Sequence, residues 1–263
     1  MNTLLLQELQ SSPLAVSAEG VEAYKLLLSR ARDAQALAID DEPLNASMFS
    51  LGRIMILPIN GLMTKYNQWD SVGMDNIAGL IAEGLENPNI DKIILLFNTY
   101  GGSVQSWVRI EEVLTHRLQY NKPVIAAIDG ICASAGVYVA VHCDKIYALH
   151  TTNRIGSIGV MVQYMDTRKA EQDAGIQTIT VYPPESKYKN KAEQDALDGD
   201  TKMLIEEQLT PLALHFQNEV RRYRPQLDES VEGLLEGKMF FAEDARRAGL
   251  IDGIMTLTEV LKS

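Results

Sequence analysis

The sequence predicts an α/β protein built on a mostly parallel sheet. Apolar runs typical of buried strands, such as Ile93–Phe97 and Pro123–Ile128, alternate with segments whose apolar residues recur at helical spacing, such as residues 74–86. Strands that alternate with helices form βαβ units, and these units build parallel sheets. In such sheets, sites form beyond the carboxyl ends of the strands.

Two glycine-bearing turns lie at such strand ends. Gly101 and Gly102 follow one strand, and Ser134 lies in a glycine-flanked turn after the next. We therefore expect the two turns to face each other across one crevice. A strand, a tight turn, a serine and a helix present a hydroxyl nucleophile at a helix N-terminus. The alternative is a small-residue turn that only packs a helix against the sheet.

The first half of the main domain is predicted from periodicity and breakers. Ile54–Leu57 is a strand that ends at Pro58, with a turn at Asn60–Gly61. Residues 74–86 form a helix that Asn87–Pro88 terminates. Further strands are expected at 93–97 and 123–128, and a buried helix at 137–141.

The second half alternates in the same way. Residues 145–148 and 178–182 are predicted as strands, and residues 167–174 as a helix that stops at Gly175. Residues 202–223 form a long helix with a kink expected at Pro211. The chain closes with the segment Met239–Ala242, a short helix, the segment Gly249–Gly253 and a final helix.

Residues 1–48 are interpreted as an N-terminal helical arm and linker, and residues 49–263 as the main domain. Val21, Tyr24 and Leu28 recur at helical spacing, and the Asp40–Pro43 stretch then breaks the pattern. An apolar stripe on an arm must be buried somewhere. We expect it to contact a neighbouring subunit or another partner.

The composition of the chain limits the classes of function that it can have. The chain has 263 residues, of which 46% are hydrophobic and 22% charged, as in an ordinary globular protein. The net charge of −11 argues against a nucleic-acid partner or an acidic membrane surface. No run of 18 apolar residues occurs, so no membrane anchor is predicted.

The cysteines indicate the compartment. Cys132 and Cys143 are the only two in the chain. Two cysteines do not make a disulfide framework, so a reducing, cytoplasmic location is expected. They form no CxxC motif and no His/Cys cluster with metal-ligand spacing, so the predicted function uses no metal and no cofactor.

A serine nucleophile needs a base. The four histidines, His116, His142, His150 and His215, form no evident Ser-His-Asp arrangement, although His150 follows a strand. A lysine can serve if its pKa falls from about 10.4 to about 7, a cost of roughly 4 kcal/mol that burial can supply. Three lysines share one loop: Lys187, Lys189 and Lys191.

A series of motifs carries a family resemblance. In order along the chain they are Asn-Thr-Tyr-Gly-Gly-Ser-Val at 98–104, Lys-Pro-Val-Ile-Ala at 122–126, Cys-Ala-Ser-Ala-Gly at 132–136, Asp-Lys-Ile-Tyr-Ala at 144–148, Ile-Gly-Ser-Ile-Gly-Val at 155–160 and Lys-Tyr-Lys-Asn at 187–190. The series resembles the SppA-type Ser-Lys peptidases over residues 52–255. That family includes signal peptide peptidase A and the capsid-assembly proteases of tailed phages. The resemblance implies a Clp protease/crotonase-like spiral fold.

The resemblance also implies roles for individual residues. Ser134 matches the nucleophile and Lys189 the base. The oxyanion hole would use the amides of Gly102 and Ala135, with Gly101 shaping the loop, and Ser157 matches a serine that supports the base. The chain departs from the family where it has Thr-Tyr-Gly-Gly instead of Ser-Pro-Gly-Gly, and where Ala135 follows the nucleophile.

The resemblance implies a serine endopeptidase that cleaves peptide or protein substrates as a cyclic homo-oligomer. The phage or prophage head-maturation branch is favoured, with scaffold or capsid proteins as partners and the host cytoplasm or the prohead as location. A housekeeping peptidase like signal peptide peptidase A is the alternative. Two further alternatives are a crotonase-type acyl-CoA enzyme and a non-catalytic assembly protein.

Overall fold

The computed structural model describes residues 13–17, 20–21, 48–67 and 73–263. The described strands are β1 (Leu14–Val16), β2 (Phe49–Leu51), β3 (Ile54–Met63), β4 (Lys92–Ser103), β5 (Val124–Ala133), β6 (Lys145–Ala148), β7 (Arg154–Gly156), β8 (Met239–Phe241) and β9 (Gly253–Ile254). The described α-helices of six or more residues are α1 (Met74–Glu86), α2 (Val108–His116), α3 (Ala135–Val141), α4 (Arg168–Asp173), α5 (Lys191–Leu197), α6 (Thr210–Tyr223), α7 (Ala242–Arg247) and α8 (Leu257–Lys262).

These strands form one mixed sheet that is mostly parallel. Its main path runs β2-β3-β4-β5-β6-β9, and every neighbouring pair from β3 to β9 is parallel. Strand β5 forks, because its first half pairs with β6 and its last three residues pair with β7. Strand β8 extends the β7 branch antiparallel. The predicted α/β class is confirmed.

Helices α1, α2 and α3 cover the sheet and enclose the main core. The predicted stripe of α1 is buried at Met74, Ile77, Ile81 and Leu85. Helix α3 is buried along its whole length, so its sequence is apolar on every side. The central strands are buried on both faces, which explains their continuous apolar runs.

Strand β3 is longer than predicted. It continues through Pro58, where no strand pairs with its other edge among the described residues, so the missing N–H can face outward. The predicted turn at Asn60–Gly61 is instead a bulge, because the pairing with β4 shifts register after Gly61. Gly61 has a φ of 70°, which glycine adopts without strain.

Two later predictions have different outcomes. Residues 178–182 form no strand within the described chain, and Ile179 and Val181 are 75% and 83% exposed. The long helix predicted over residues 202–223 is divided before Pro211, and the kink expected at Pro211 stays a prediction. A helical turn at Lys202–Leu204 and a π-helical turn at Ile205–Leu209 precede α6, and Pro211 lies in the first turn of α6.

Most of the predicted N-terminal arm lies outside the described residues, so the boundary at 48/49 stays a prediction. The described part differs from the expected helix, because Leu14–Val16 is a strand of the sheet. It pairs antiparallel with the end of β4. Among the described helices, none combines the length and the apolar character that crossing a bilayer needs.

Candidate active site

The first wall of the site is the glycine turn at the end of β4. Gly101 has a φ of 91°, and a side chain at Gly102 would start 1.8 Å from the backbone oxygen of Met63. Both positions therefore need glycine. The Thr99 hydroxyl donates to the Gly61 carbonyl at 2.6 Å and accepts from the Gly101 amide at 3.1 Å, which holds the turn in place.

Ser134 occupies the sharp bend between β5 and α3. Its φ of 53° and ψ of −113° lie outside the regions that residues with a side chain prefer. Such a conformation costs on the order of 1–3 kcal/mol, and it persists only when the surroundings hold it. The Ser134 amide donates to the Gly156 carbonyl at 2.8 Å, and the Ser134 carbonyl accepts from Tyr138 in α3 at 3.0 Å. These two hydrogen bonds fix the bend.

The two turns meet, as the sequence predicts. The position that a Cβ on Gly101 would occupy lies 2.9 Å from the Ala133 oxygen and 3.0 Å from the Ala135 nitrogen. The amide of Ala135 opens α3, so it has no earlier helical carbonyl to bond. The Gly101–Gly102 turn and the Ala135 amide thus line one small space beside Ser134. Backbone amides in such a space can bind an oxyanion.

The segment that follows β7 supplies the second support of Ser134. The Ser134 hydroxyl donates to the Gly159 carbonyl at 3.2 Å, next to the Gly156 contact. Half-buried Ser157 lies between them with a φ of 56°, and its amide donates to the Lys238 carbonyl at 2.9 Å. The roles of Gly156 and Gly159 were not predicted from the sequence. The glycine punctuation of Ile155–Val160 was the available signal.

The structure does not bring Lys189 to Ser134. The Lys189 side chain is exposed, and within the described chain it has no hydrogen bond, ion pair or ring contact. Its neighbours in the loop are already engaged. Lys191 pairs with Asp195 at 2.7 Å, and the hydrogen bond that it donates to this carboxylate raises the pKa of Lys191. Lys187 lies over the ring of Tyr188 at 5.1 Å from its centroid.

The histidines are held away from Ser134. His142 is buried at the C-terminal end of α3, where its Nδ1 lies 2.7 Å from the Tyr138 carbonyl. His215 contacts the Tyr138 hydroxyl through Nε2 at 2.9 Å, and His116 contacts the carbonyl of Glu112 in its own helix. His150 is exposed and contacts Thr152. These contacts leave no Ser-His pair at Ser134 among the described residues.

The nearest thiol is not a competing nucleophile. Cys132 lies two residues before Ser134, its side chain is fully buried, and burial raises its pKa. A thiol acts as a nucleophile only as the thiolate. The serine hydroxyl is therefore the reactive group that this turn offers.

Comparisons with known proteins identify the family of the chain. The model of peptidase family S49 matches residues 116–263, more than half of the chain. The chain is 25% identical to capsid assembly protease C of Escherichia phage lambda over 255 residues, which cover 94% of this chain and 56% of that protein. It is 24% identical to Protease 4 of Salmonella typhi over 221 residues, which cover 84% of this chain and 35% of that protein.

A solved structure has the same fold. A mutant of the 1510-N membrane-bound stomatin-specific protease superimposes with a TM-score of 0.52 at 17% identity, covering 81% of this chain and 85% of that one. This likeness supports the Clp protease/crotonase-like fold that the sequence resemblance implied. The fold, the glycine turns and the match to the family model together show that this chain belongs to peptidase family S49.

Proposed function

We propose that this chain is a serine endopeptidase in which Ser134 attacks the substrate carbonyl and Lys189 is the base. The observation that carries the proposal is the strained conformation of Ser134, with the Ala135 amide and the Gly101–Gly102 turn beside it. Strain that hydrogen bonds hold in place is typical of functional residues. If this turn were only structural, glycine at position 134 would form it without strain.

The proposed mechanism follows from these groups. The Ser134 hydroxyl forms a bond to the carbonyl carbon of the substrate while Lys189, in its neutral form, accepts the hydroxyl proton. The amides of Gly102 and Ala135 stabilise the negative charge that develops on the carbonyl oxygen. The amine of the cleaved bond leaves with a proton from Lys189, and water then releases the acyl group from Ser134. Ser157 is proposed to hold the lysine.

Lys189 has to approach Ser134 for this chemistry. Exposed large apolar side chains lie along the segment that leads to its loop: Met165, Ile176, Ile179, Val181 and Tyr188, which are 58% to 83% exposed. Large apolar side chains left exposed on a single chain are candidates for burial in an interface. We propose that a second copy of the chain covers this segment in a cyclic homo-oligomer. That contact would place the lysine and remove water from it.

We further propose that the substrates are scaffold or capsid proteins of a phage or prophage. The similarity to capsid assembly protease C extends over 94% of this chain, further than the 84% shared with Protease 4. A head-tail preconnector protein, GP5 of Enterobacteria phage P21, also matches, over 72% of this chain. Since the chain spans only 56% and 35% of the first two relatives, the partners of the whole protein are part of the proposal. The housekeeping alternative rests on Protease 4.

A fluorophosphonate probe tests the nucleophile. We expect the probe to label one serine, which peptide mass spectrometry should identify as Ser134. Ser134→Ala should abolish both the labelling and the cleavage of a protein substrate, with a loss of several orders of magnitude. Ser230→Ala, at an exposed position, is the matched control and should label normally. Full cleavage activity in purified Ser134→Ala would refute the proposal.

Single replacements in the lysine loop test the base. Lys189→Ala should lose activity as severely as Ser134→Ala, because no other group in the proposed mechanism can take the proton. Lys187→Ala and Lys191→Ala are the controls and should keep most of their activity, since both side chains are engaged elsewhere. Steady-state cleavage rates compare the three variants. Loss of activity in Lys187→Ala alone would move the base to that residue.

A further inference from the structure

A segment near the N-terminus lies between two walls of the active site. Strand β1 pairs antiparallel with Gly101–Ser103, so Leu14 faces Ser103 and Ala15 faces Gly102. On its other edge, Leu14 exchanges two hydrogen bonds with Met161, each 2.7 Å long. An extended peptide paired along both edges is how a groove lined by strand edges binds a peptide.

The register brings the Ala15 carbonyl to the oxyanion space. The Ser17 amide donates to the Tyr100 carbonyl at 2.8 Å, and the Val104 amide donates to the Pro13 carbonyl at 3.1 Å. Hydrogen-bonded pairs alternate in an antiparallel ladder, so Ala15 and Gly102 form the hydrogen-bonded pair between these two. The Ala15 carbonyl therefore accepts from the amide that we assign to the oxyanion hole.

A second distance supports this placement. The Ala15 oxygen lies 2.2 Å from the position that a Cβ on Gly101 would occupy, and the Ala135 nitrogen lies 3.0 Å from that same position. The Ala15 oxygen and the first amide nitrogen of α3 thus both lie close to one point of the turn, and no more than 5.2 Å separates them. A substrate places the carbonyl of its cleaved bond in this way.

The side chains of the segment are packed as a bound peptide would be. Ala15 is fully buried in the main core, while Leu14 and Val16 point to the opposite face and pack with Leu62. Tyr100 and Met161 complete that second cluster. With this segment in place Ser134 has no exposed surface. A free peptide could not reach the hydroxyl.

We propose that Pro13–Ser17 is a built-in occupant of the peptide groove, bound like a substrate whose cleaved bond would follow Ala15. The proposal rests on the proposed peptidase function, because it takes Ser134 as the nucleophile. The segment must leave before another peptide binds, so it holds the enzyme in an inhibited state. A tethered segment competes at an effective concentration of about millimolar, so only a tightly bound or locally concentrated substrate displaces it.

A reversible crosslink in the full chain tests the proposal. Leu14→Cys combined with Met161→Cys places two thiols on paired residues, and oxidation should join them. The native thiols of Cys132 and Cys143 are buried, and burial raises the pKa of both, so they stay out of the reaction. Mass spectrometry confirms the bond. Failure to form it would contradict the observed pairing.

The readout is the rate at which a fluorophosphonate labels Ser134. We expect the oxidised protein to label at least about tenfold more slowly than the same protein after reduction, because the crosslink keeps the segment in the groove. Equal rates in the two states would overturn the proposal while leaving Ser134 as the nucleophile. If neither the oxidised nor the reduced folded protein is labelled, the result would instead count against the peptidase function.

A substitution and a binding measurement complete the test. Ala15→Asp places a carboxylate in a fully buried position and should expel the segment, so labelling should become faster than in the wild type. Ala170→Asp, on the exposed helix α4, is the control and should not change the rate. In the Ser134→Ala background, a fluorescent Pro-Leu-Ala-Val-Ser peptide should bind Ala15→Asp and not the protein with the intact segment. Equal binding to both would overturn the proposal.

Discussion

Ser134 combines a strained backbone with complete burial. Its amide, carbonyl and hydroxyl each make a hydrogen bond, to Gly156, Tyr138 and Gly159 respectively. The surroundings therefore determine the conformation, and the residue itself would prefer another. The strain can be measured separately from the chemistry, because glycine accepts this conformation and alanine does not.

Two substitutions at this position make the comparison. Ser134→Gly and Ser134→Ala should both be inactive, but the glycine variant should be the more stable of the two by about 1 kcal/mol. Urea unfolding of both proteins gives the difference in the free energy of unfolding. The greater freedom of glycine in the unfolded chain opposes the effect. An alanine variant that is the more stable of the two by about 1 kcal/mol, the full size of this opposing effect, would show that the bend is not strained.

At this scale the sequence predicted that the two glycine-bearing turns meet beside Ser134, while the roles of Ser134 and of the amides stay predictions. Ser134, Gly101 and Gly102 stand out because glycine at a strand end has a local meaning that sequence can show. The acceptor carbonyls of Gly156 and Gly159 could not be assigned in the same way. A carbonyl group is present at every residue, so only the tertiary fold shows which one meets Ser134.

Helix α3 has Ser134 at one end and a buried ionisable cluster near the other. His142 lies 3.4 Å from the Glu219 carboxylate of α6, and neither facing atom has a hydrogen-bond partner in the described chain. Ligand atoms of Glu111, His142 and Glu219 lie within 4.8 Å of one another. Burial lowers the pKa of His142, although the Tyr138 carbonyl and the two glutamates oppose that shift.

This cluster predicts a dependence of stability on pH. The unfolded chain, with a histidine pKa of about 6.5, takes up a proton more readily than the folded chain, in which the pKa of His142 is lowered. Stability should therefore fall as the pH drops below about 6.5, by at most about 1.4 kcal/mol per pH unit from this group. The groups that face His142 are Glu111 from α2, Tyr138 from α3, and Glu219 and Tyr223 from α6.

His142→Gln isolates the effect, because glutamine keeps a polar side chain and does not titrate. Unfolding free energies at pH 7.5 and 5.5 should fall more steeply in the wild type than in the variant. The other three histidines are common to both proteins and cancel in the difference. A steeper fall in the variant would mean that His142 is protonated in the fold.

Elements were predictable where their partners are close in sequence. Helix α1 was predicted to its last residue, because its stripe and its Asn87–Pro88 end are local signals. Apolar and polar residues alternate over 178–182 as in a strand, but this segment pairs with no other strand in the described chain. Strand β1 was missed for the opposite reason. Its three residues are too few for a periodic signal, and its partner lies in β4.

For the whole molecule, the single chain is an incomplete enzyme in our proposal. The lysine loop is exposed, and the apolar residues Ile179 and Val181 have no cover. Ile179→Asp should therefore weaken self-association and lower activity together. Leu118→Asp, at an apolar residue that is 79% exposed on another part of the surface, is the control. Light scattering and cleavage rates measured at the same concentrations compare the two.

Mixed oligomers give the complementary test. If the loop of one subunit serves the serine of the next, mixing inactive Ser134→Ala with inactive Lys189→Ala should restore part of the activity. A monomer that is fully active at the assay concentration would contradict the need for assembly.

The fork in β5 has a consequence for biosynthesis. The branch that holds Ser134 pairs with β7, and β7 in turn pairs with β8, where Gly156 faces Met239. The Ser157 amide also bonds the Lys238 carbonyl. The strand that supports Ser134 is therefore itself paired with residues made more than a hundred positions later. A chain still bound to the ribosome contains Ser134 long before β8 is made, and under our proposal it could not cleave other proteins during translation.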